Sequence, residues 1–149
     1  MSDLSQVVCP QCWVVNRVPT LRLSSAPKCG KCKQLLFDGQ PVELSMANFN
    51  HFTQRNHIPI MVDFWAPWCG LCQTMSVTFK DVAIVLEPHM RLAKVNIDVE
   101  KEIASRLQIS CTPCLVIFVH GQEIARKDGA MDSSSLVQWA NNLNISALA

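Results

Sequence analysis

"IPIMVDFWAPWCGLC", residues 58–72, decides how this chain is read. Its first half is a short apolar run of strand length, interrupted only by Asp63. A helical pattern begins at about Cys69 and runs to Glu87, where Pro88 ends it. Cys69 therefore stands where a strand gives way to a helix. The unsatisfied N–H groups and partial positive charge of a helix N-terminus stabilise a thiolate there. Cys72, three residues on, lies within one helical turn and can close a disulfide with it. Trp68 supplies an apolar face beside the pair.

Outward from this stretch the chain alternates helical and strand patterns. "SMANFNHFTQRN" predicts a helix opened by a Ser45 cap, with Met46, Phe49 and Phe52 on one stripe. "MRLAKVNID" reads as a strand, "EKEIASRLQ" as a helix, "CLVIFV" as a strand and "QEIARKDG" as an edge strand. "DSSSLVQWANNL" closes with an amphipathic helix capped by Asp132, its Trp139 packing on the sheet. Strands joined through helices, then a hairpin at His120-Gly121, predict an α/β fold with a mixed sheet of about five strands.

A second Cys-x-x-Cys, Cys111 to Cys114, encloses Thr112-Pro113. It sits before and inside a strand, where extended residues hold the cysteines beyond roughly 7 Å unless the backbone turns sharply. No helix dipole assists it. Cys114 reads as a small buried hydrophobe and Cys111 as a thiol nearer the surface.

Four further cysteines precede all of this. Cys9, Cys12, Cys29 and Cys32 form two C-x₂-C pairs sixteen residues apart, the spacing of a four-thiolate zinc site. Pro10 and Gly30 suit the tight bends, and a segment this small needs a metal for stability. Between Leu4 and Phe37 lie five cations and no acid. A four-thiolate zinc centre carries a formal charge of −2, which balances such an excess. Aromatic side chains for base stacking are scarce, so nucleic acid is not expected as a partner. Asp38-Gly39 and Pro41 mark a linker.

The chain has 149 residues, 49 % hydrophobic and 17 % charged, a globular composition. No run reaches the roughly 18 apolar residues of a membrane span, and "MSDLSQVVCPQC" lacks the pattern of a secretory signal. Eight cysteines then point to a cytoplasmic protein with metal ligands and catalytic thiols. The four histidines share no metal spacing and the methionines are dispersed as core filling.

"VDFWAPWCGLC", "AKVNID", Thr112-Pro113 before an apolar strand, and "HGQEI…DGA" together resemble the thioredoxin family in order and spacing, over about Leu44 to Leu143. With the four-cysteine segment in front, the chain is similar to zinc-containing bacterial thioredoxins. The resemblance implies a thioredoxin fold over 45–149, a linker over 38–44 and a small zinc-ribbon-like module over 1–37. The core of the larger domain is not expected to depend on residues before Phe37.

The resemblance further implies a protein-disulfide reductase taking part in electron transport. Cys69 is then an exposed nucleophile and Cys72 the buried resolving thiol. Asp63, costly to bury unless neutral or paired, either is satisfied structurally or moves protons for Cys72 with Lys94 nearby. Trp68, Gly70, Leu71, Thr112, Pro113 and Gly129 line the substrate groove, with Thr112-Pro113 as a cis-proline loop that pairs with an extended substrate. The cofactors implied are one zinc and the redox-active disulfide, with no organic cofactor bound. Partners are disulfide-containing proteins and a thioredoxin reductase, without a membrane. Two other readings stand beside it: a disulfide isomerase or oxidase, and a zinc-dependent redox sensor.

The family usually has Gly-Pro between the active cysteines, and here Gly70-Leu71 stands. Leucine leaves the open dithiol form more backbone freedom than proline, which favours that form and weakens it as a reductant. Leu71→Pro should therefore move the potential roughly 10–20 mV more negative, from the usual size of Xaa-to-Pro effects. Glutathione equilibration of both proteins measures the shift, and a potential that is unchanged or less negative contradicts this account of Leu71.

Overall fold

Side-chain alternation along one central strand lays out both halves of the core. The computed structural model describes residues 3–143. β1 (Leu4–Val8) and β2 (Val15–Pro19) form an antiparallel ribbon, followed by a 3-10 turn at Thr20–Arg22. Then come β3 (Val42–Glu43), α1 (Phe49–Arg55), β4 (Ile60–Trp65), α2 (Gly70–Leu86), β5 (Arg91–Asn96) and α3 (Lys101–Arg106). β6 (Cys114–Val119), β7 (Gln122–Asp128) and α4 (Ser133–Asn142) complete the order.

The main sheet runs β3-β5-β4-β6-β7, parallel through β3, β5 and β4 and antiparallel from β4 to β7. It is the mixed sheet that the sequence predicts. Along β4, Ile60, Val62 and Phe64 meet Phe49, Phe52 and Ile103 on one face. Met61 meets Met75, Phe79 and Leu136 on the other. Asp63 shares the parity of Met61 and so points toward α2. His120 and Gly121, at φ 50° and 81°, make the two-residue hairpin turn, whose twist requires positive φ at both positions. Asp132 caps α4 as expected, its Oδ1 accepting from Ser135 N at 2.7 Å.

Two expectations are corrected. The fifth strand comes from the segment read as linker: β3 pairs with β5 through Val42↔Ala93 and Glu43↔Lys94. At two residues, a strand gives almost no periodic signal. Ser45 does not cap α1. Its hydroxyl accepts from Ala47 N in a turn, Asn48 takes the N-cap position, and Met46 is exposed while Phe49 and Phe52 are buried. Local side-chain bonds to the backbone at Ser45 and Asn48 favour the turn over an earlier helix start.

A third correction concerns independence of the two parts. Val8 is fully buried in the same cluster as Val42, Phe52 and Val62. Its N–H donates to Asn56 Oδ1 at 2.9 Å, and His57 N donates to Gln6 O at 2.9 Å. Arg91, the first residue of β5, is 0 % exposed. It pairs with Glu87 at 3.0 Å, donates to the carbonyls of Val8 (3.2 Å) and Leu36 (2.8 Å), and lies 4.6 Å over the Phe37 ring. The large core thus does draw on residues before Phe37.

Arg91→Met should strand the buried Glu87 carboxylate and both carbonyls. Breaking a buried charge pair costs about 3–5 kcal/mol. Urea unfolding is expected to show a loss of that order, and a loss of under about 1 kcal/mol contradicts the clamp.

Candidate functional site

At the end of β4 the chain crosses Ala66 and Pro67 and enters α2 with Cys69 as its N-cap residue. The sulfur takes the place of a capping oxygen: Cys72 N donates to Cys69 Sγ at 3.2 Å. Cys69 and Cys72 are joined as a disulfide, with Cα atoms 5.2 Å apart. In this state Cys69 is only 7 % exposed, less open than the sequence reading expected, because the Thr112 carbonyl oxygen lies 3.6 Å from its sulfur. Cys72 is buried beneath it.

The residues predicted to surround this pair converge from four elements. The Thr112-Pro113 bond is cis, and Gly129, at φ 94°, donates its N–H to the Pro113 carbonyl at 2.8 Å. A side chain at Gly129 would be strained by that φ. Trp68 and Leu71 stand out into solvent on the rim. Trp68 Nε1 donates to Asp98 Oδ1 at 3.2 Å, a partner that sequence reading missed. Nothing lies within 4 Å of where a side chain on Gly70 would begin, so the groove is open there.

Behind the disulfide, Asp63 and Lys94 face each other in register on β4 and β5. Asp63, Cys72 and Lys94 line one cavity of about 160 Å³ together with Trp65, Ser76 and Lys80. Ser76 and Lys80 escaped the sequence reading, although their spacing from Cys72 puts them on one helical face. Asp63 is 3 % exposed and its Oδ1 has no hydrogen-bond partner. Burial pushes its carboxyl up from 3.8 to about 7, against the opposing charge of Lys94. The arrangement can hold and release a proton beside the inner thiol near neutrality.

The other cysteine pair has no such surroundings. Cys111 is exposed and Cys114 is 1 % exposed within the core, and neither is bonded. Burial, then the neighbouring Asp128, pushes the Cys114 thiol up to about 12 and raises Cys111 as well.

Cys9, Cys12, Cys29 and Cys32 bring four sulfurs within 4.8 Å of one another. Cys9 and Cys32 are 3.5 Å apart and Cys12 and Cys29 3.6 Å. A tetrahedron with Zn–S of about 2.3 Å has edges of about 3.8 Å, so the set fits zinc. Gln11 and Cys12 donate N–H bonds to Cys9 Sγ, and Lys31 and Cys32 to Cys29 Sγ. Although burial opposes it, those bonds with help from Asn16 and Cys12 lower the Cys29 thiol to about 6. At Cys9 the same kind of bonds favour the thiolate, but burial outweighs them and raises the thiol.

The family described as Thioredoxin matches residues 40–142, and that described as Thioredoxin 2, N-terminal, a zinc ribbon, matches residues 8–34. Thioredoxin C-3 of Corynebacterium nephridii is 35 % identical over 133 residues, covering 89 % of this chain and 91 % of that protein. A thioredoxin of Rickettsia bellii is 32 % identical, over 64 % of this chain and 90 % of its own. Among solved structures, a thioredoxin of Malassezia sympodialis superposes with a TM-score of 0.64 at 28 % identity, covering 70 % of this chain and 90 % of that one.

The raised Asp63 carboxyl makes stability depend on pH with a definite sign. Unfolded, the group loses its proton near 3.8, whereas folded it keeps it to about 7. Its contribution is complete below the lower value and is lost as pH rises toward the upper one. The difference amounts to roughly 4 kcal/mol. Asp63→Asn should flatten the loss between pH 5 and pH 8 and leave the oxidised protein more stable at pH 8. Urea midpoints at both pH values test this, and an unchanged pH dependence contradicts it.

Proposed function

This chain belongs to the thioredoxin family and is a thioredoxin-type disulfide oxidoreductase, and from that premise we propose that it reduces protein disulfides through Cys69 and Cys72. The observation that carries the proposal is the capping position of Cys69, whose sulfur receives the Cys72 N–H while Asp63 waits behind Cys72. In the reduced protein the Cys69 thiolate attacks a substrate disulfide and one substrate thiolate leaves. A mixed disulfide remains on Cys69. Cys72 gives its proton to the Asp63 carboxylate and its thiolate attacks Cys69 Sγ. The second substrate thiolate leaves, and the Cys69–Cys72 disulfide is formed. Lys94 steadies the charged form of Asp63.

Substrate is held in extended form against Thr112 and cis-Pro113, with Gly129 supporting that loop and Trp68, Gly70 and Leu71 forming the rim. A thioredoxin reductase, drawing electrons from a nicotinamide cofactor, returns the disulfide to the dithiol. Cys9, Cys12, Cys29 and Cys32 bind one zinc that holds the module of residues 1–37 in shape, joined to a catalytic domain whose sheet begins with β3. The thiol chemistry suits the cytoplasm. Among the described residues no helix is long and apolar enough to cross a membrane.

Cys69→Ser should abolish reduction of insulin disulfides, whereas Cys72→Ser should accumulate substrate as a mixed disulfide on Cys69. Elemental analysis under reducing conditions should find one zinc per chain. Mass spectrometry locating the adduct on Cys111 or Cys114, with Cys69 dispensable, overturns the assignment of the thiols. Activity retained by a chain without zinc assigns the metal to structure, and activity appearing only on its loss favours a redox sensor.

A further inference from the structure

The row of side chains that crosses the sheet at Asp63 continues past Lys94 to the edge. Asp63 of β4 faces Lys94 of β5, and Lys94 faces Glu43 of β3. Partners in register share a face of the sheet, so two carboxylates flank one ammonium on the side of α2. The two are not alike. Glu43 is on an edge strand with its side chain 56 % exposed, and its Oε2 lies 3.6 Å from Lys94 Nζ. Asp63 is buried, and its Oδ1 receives no hydrogen bond.

We propose that Glu43 is a positioning residue for Asp63: it holds the Lys94 ammonium toward the sheet edge, away from the buried carboxylate, and so lets Asp63 take up and return a proton. This rests on the reading that Asp63 serves Cys72. An ammonium in contact with Asp63 would favour the carboxylate so strongly that it would be a poor proton acceptor. An ammonium shared with Glu43 exerts only part of that pull. Other groups facing Asp63 do not compete for the role. Cys72 and exposed Lys80 come from α2, and β6 offers apolar Leu115, beyond which stands exposed Lys127 of β7.

The decisive measurement is a carboxyl-carbon NMR titration of the oxidised, zinc-loaded protein, with the Asp63 signal assigned by its loss in Asp63→Asn. Glu43→Gln should lower the Asp63 midpoint by about half a pH unit, the scale of a partly exposed ion pair. Lys94→Met should raise it. In the Lys94→Met background, Glu43→Gln should leave the midpoint where Lys94→Met alone puts it, because the effect travels through the ammonium. The pH profile of single-turnover insulin reduction should shift toward acid in Glu43→Gln. An unmoved midpoint in Glu43→Gln, or a fall that persists without Lys94, overturns the proposal. If Asp63→Asn instead reduces insulin at the wild-type rate at every pH, the proton-transfer reading fails, while the titration still judges Glu43.

Discussion

A guanidinium with no access to water anchors this molecule. Burying a cation costs several kcal/mol and persists only with partners on every side. Arg91 finds them in Glu87 at the end of the helical segment, in the carbonyls of Val8 and Leu36, and in the Phe37 ring. Those carbonyls belong to the cysteine-rich module, and Arg91 opens β5, the strand that also carries Lys94. Module and sheet therefore share one electrostatic centre. Val8 adjoins Cys9, and the charge of Cys9 is felt at Arg91.

Asp63 shows the opposite treatment of a buried charge. Arg91 gives its two terminal nitrogens to a carboxylate and two carbonyls, with only Nε unpartnered, whereas Asp63 is left with an unpartnered oxygen over a small cavity and with a cation divided between it and Glu43. Direct pairing with a carboxylate and two carbonyls holds a structural charge ionised. A buried carboxyl without such partners holds its proton to higher pH, at a cost in stability. The same sheet accommodates both because Arg91 lies at the start of β5 under the module and Lys94 lies midway along it, beside the cavity.

The eight cysteines are sorted by what faces their sulfurs. Cys69 receives the N–H of a helix's first turn, and Cys9 and Cys29 each receive two N–H groups from tight bends. Donors of this kind stabilise sulfur as thiolate. Cys111 and Cys114 receive none among the described residues, and burial, with the Asp128 carboxylate nearby, raises both thiols. Identical spacing, Cys-x-x-Cys, thus yields a disulfide-bonded pair, two pairs that share a four-sulfur cluster and an unbonded pair.

Periodicity and spacing along the chain were enough to determine β4 to β7, the long helix from Cys69, the Asp132 cap and the four-cysteine cluster. Each of these is a local property, decided within one helical turn, one strand or one tight bend. The presence of Asp63 in an apolar strand was legible for the same reason. What tertiary structure alone decided involves residues far apart in the chain. β3 is a strand only because β5 supplies its hydrogen bonds, and two residues carry no period of their own. Arg91, an ordinary arginine in sequence, is buried because Val8 and Leu36 happen to place carbonyls where its fork can reach. Glu43 acquires meaning only when pairing across three strands sets it against Lys94 and Asp63. Such pairings are fixed by long-range packing and register, and no window of sequence contains both partners.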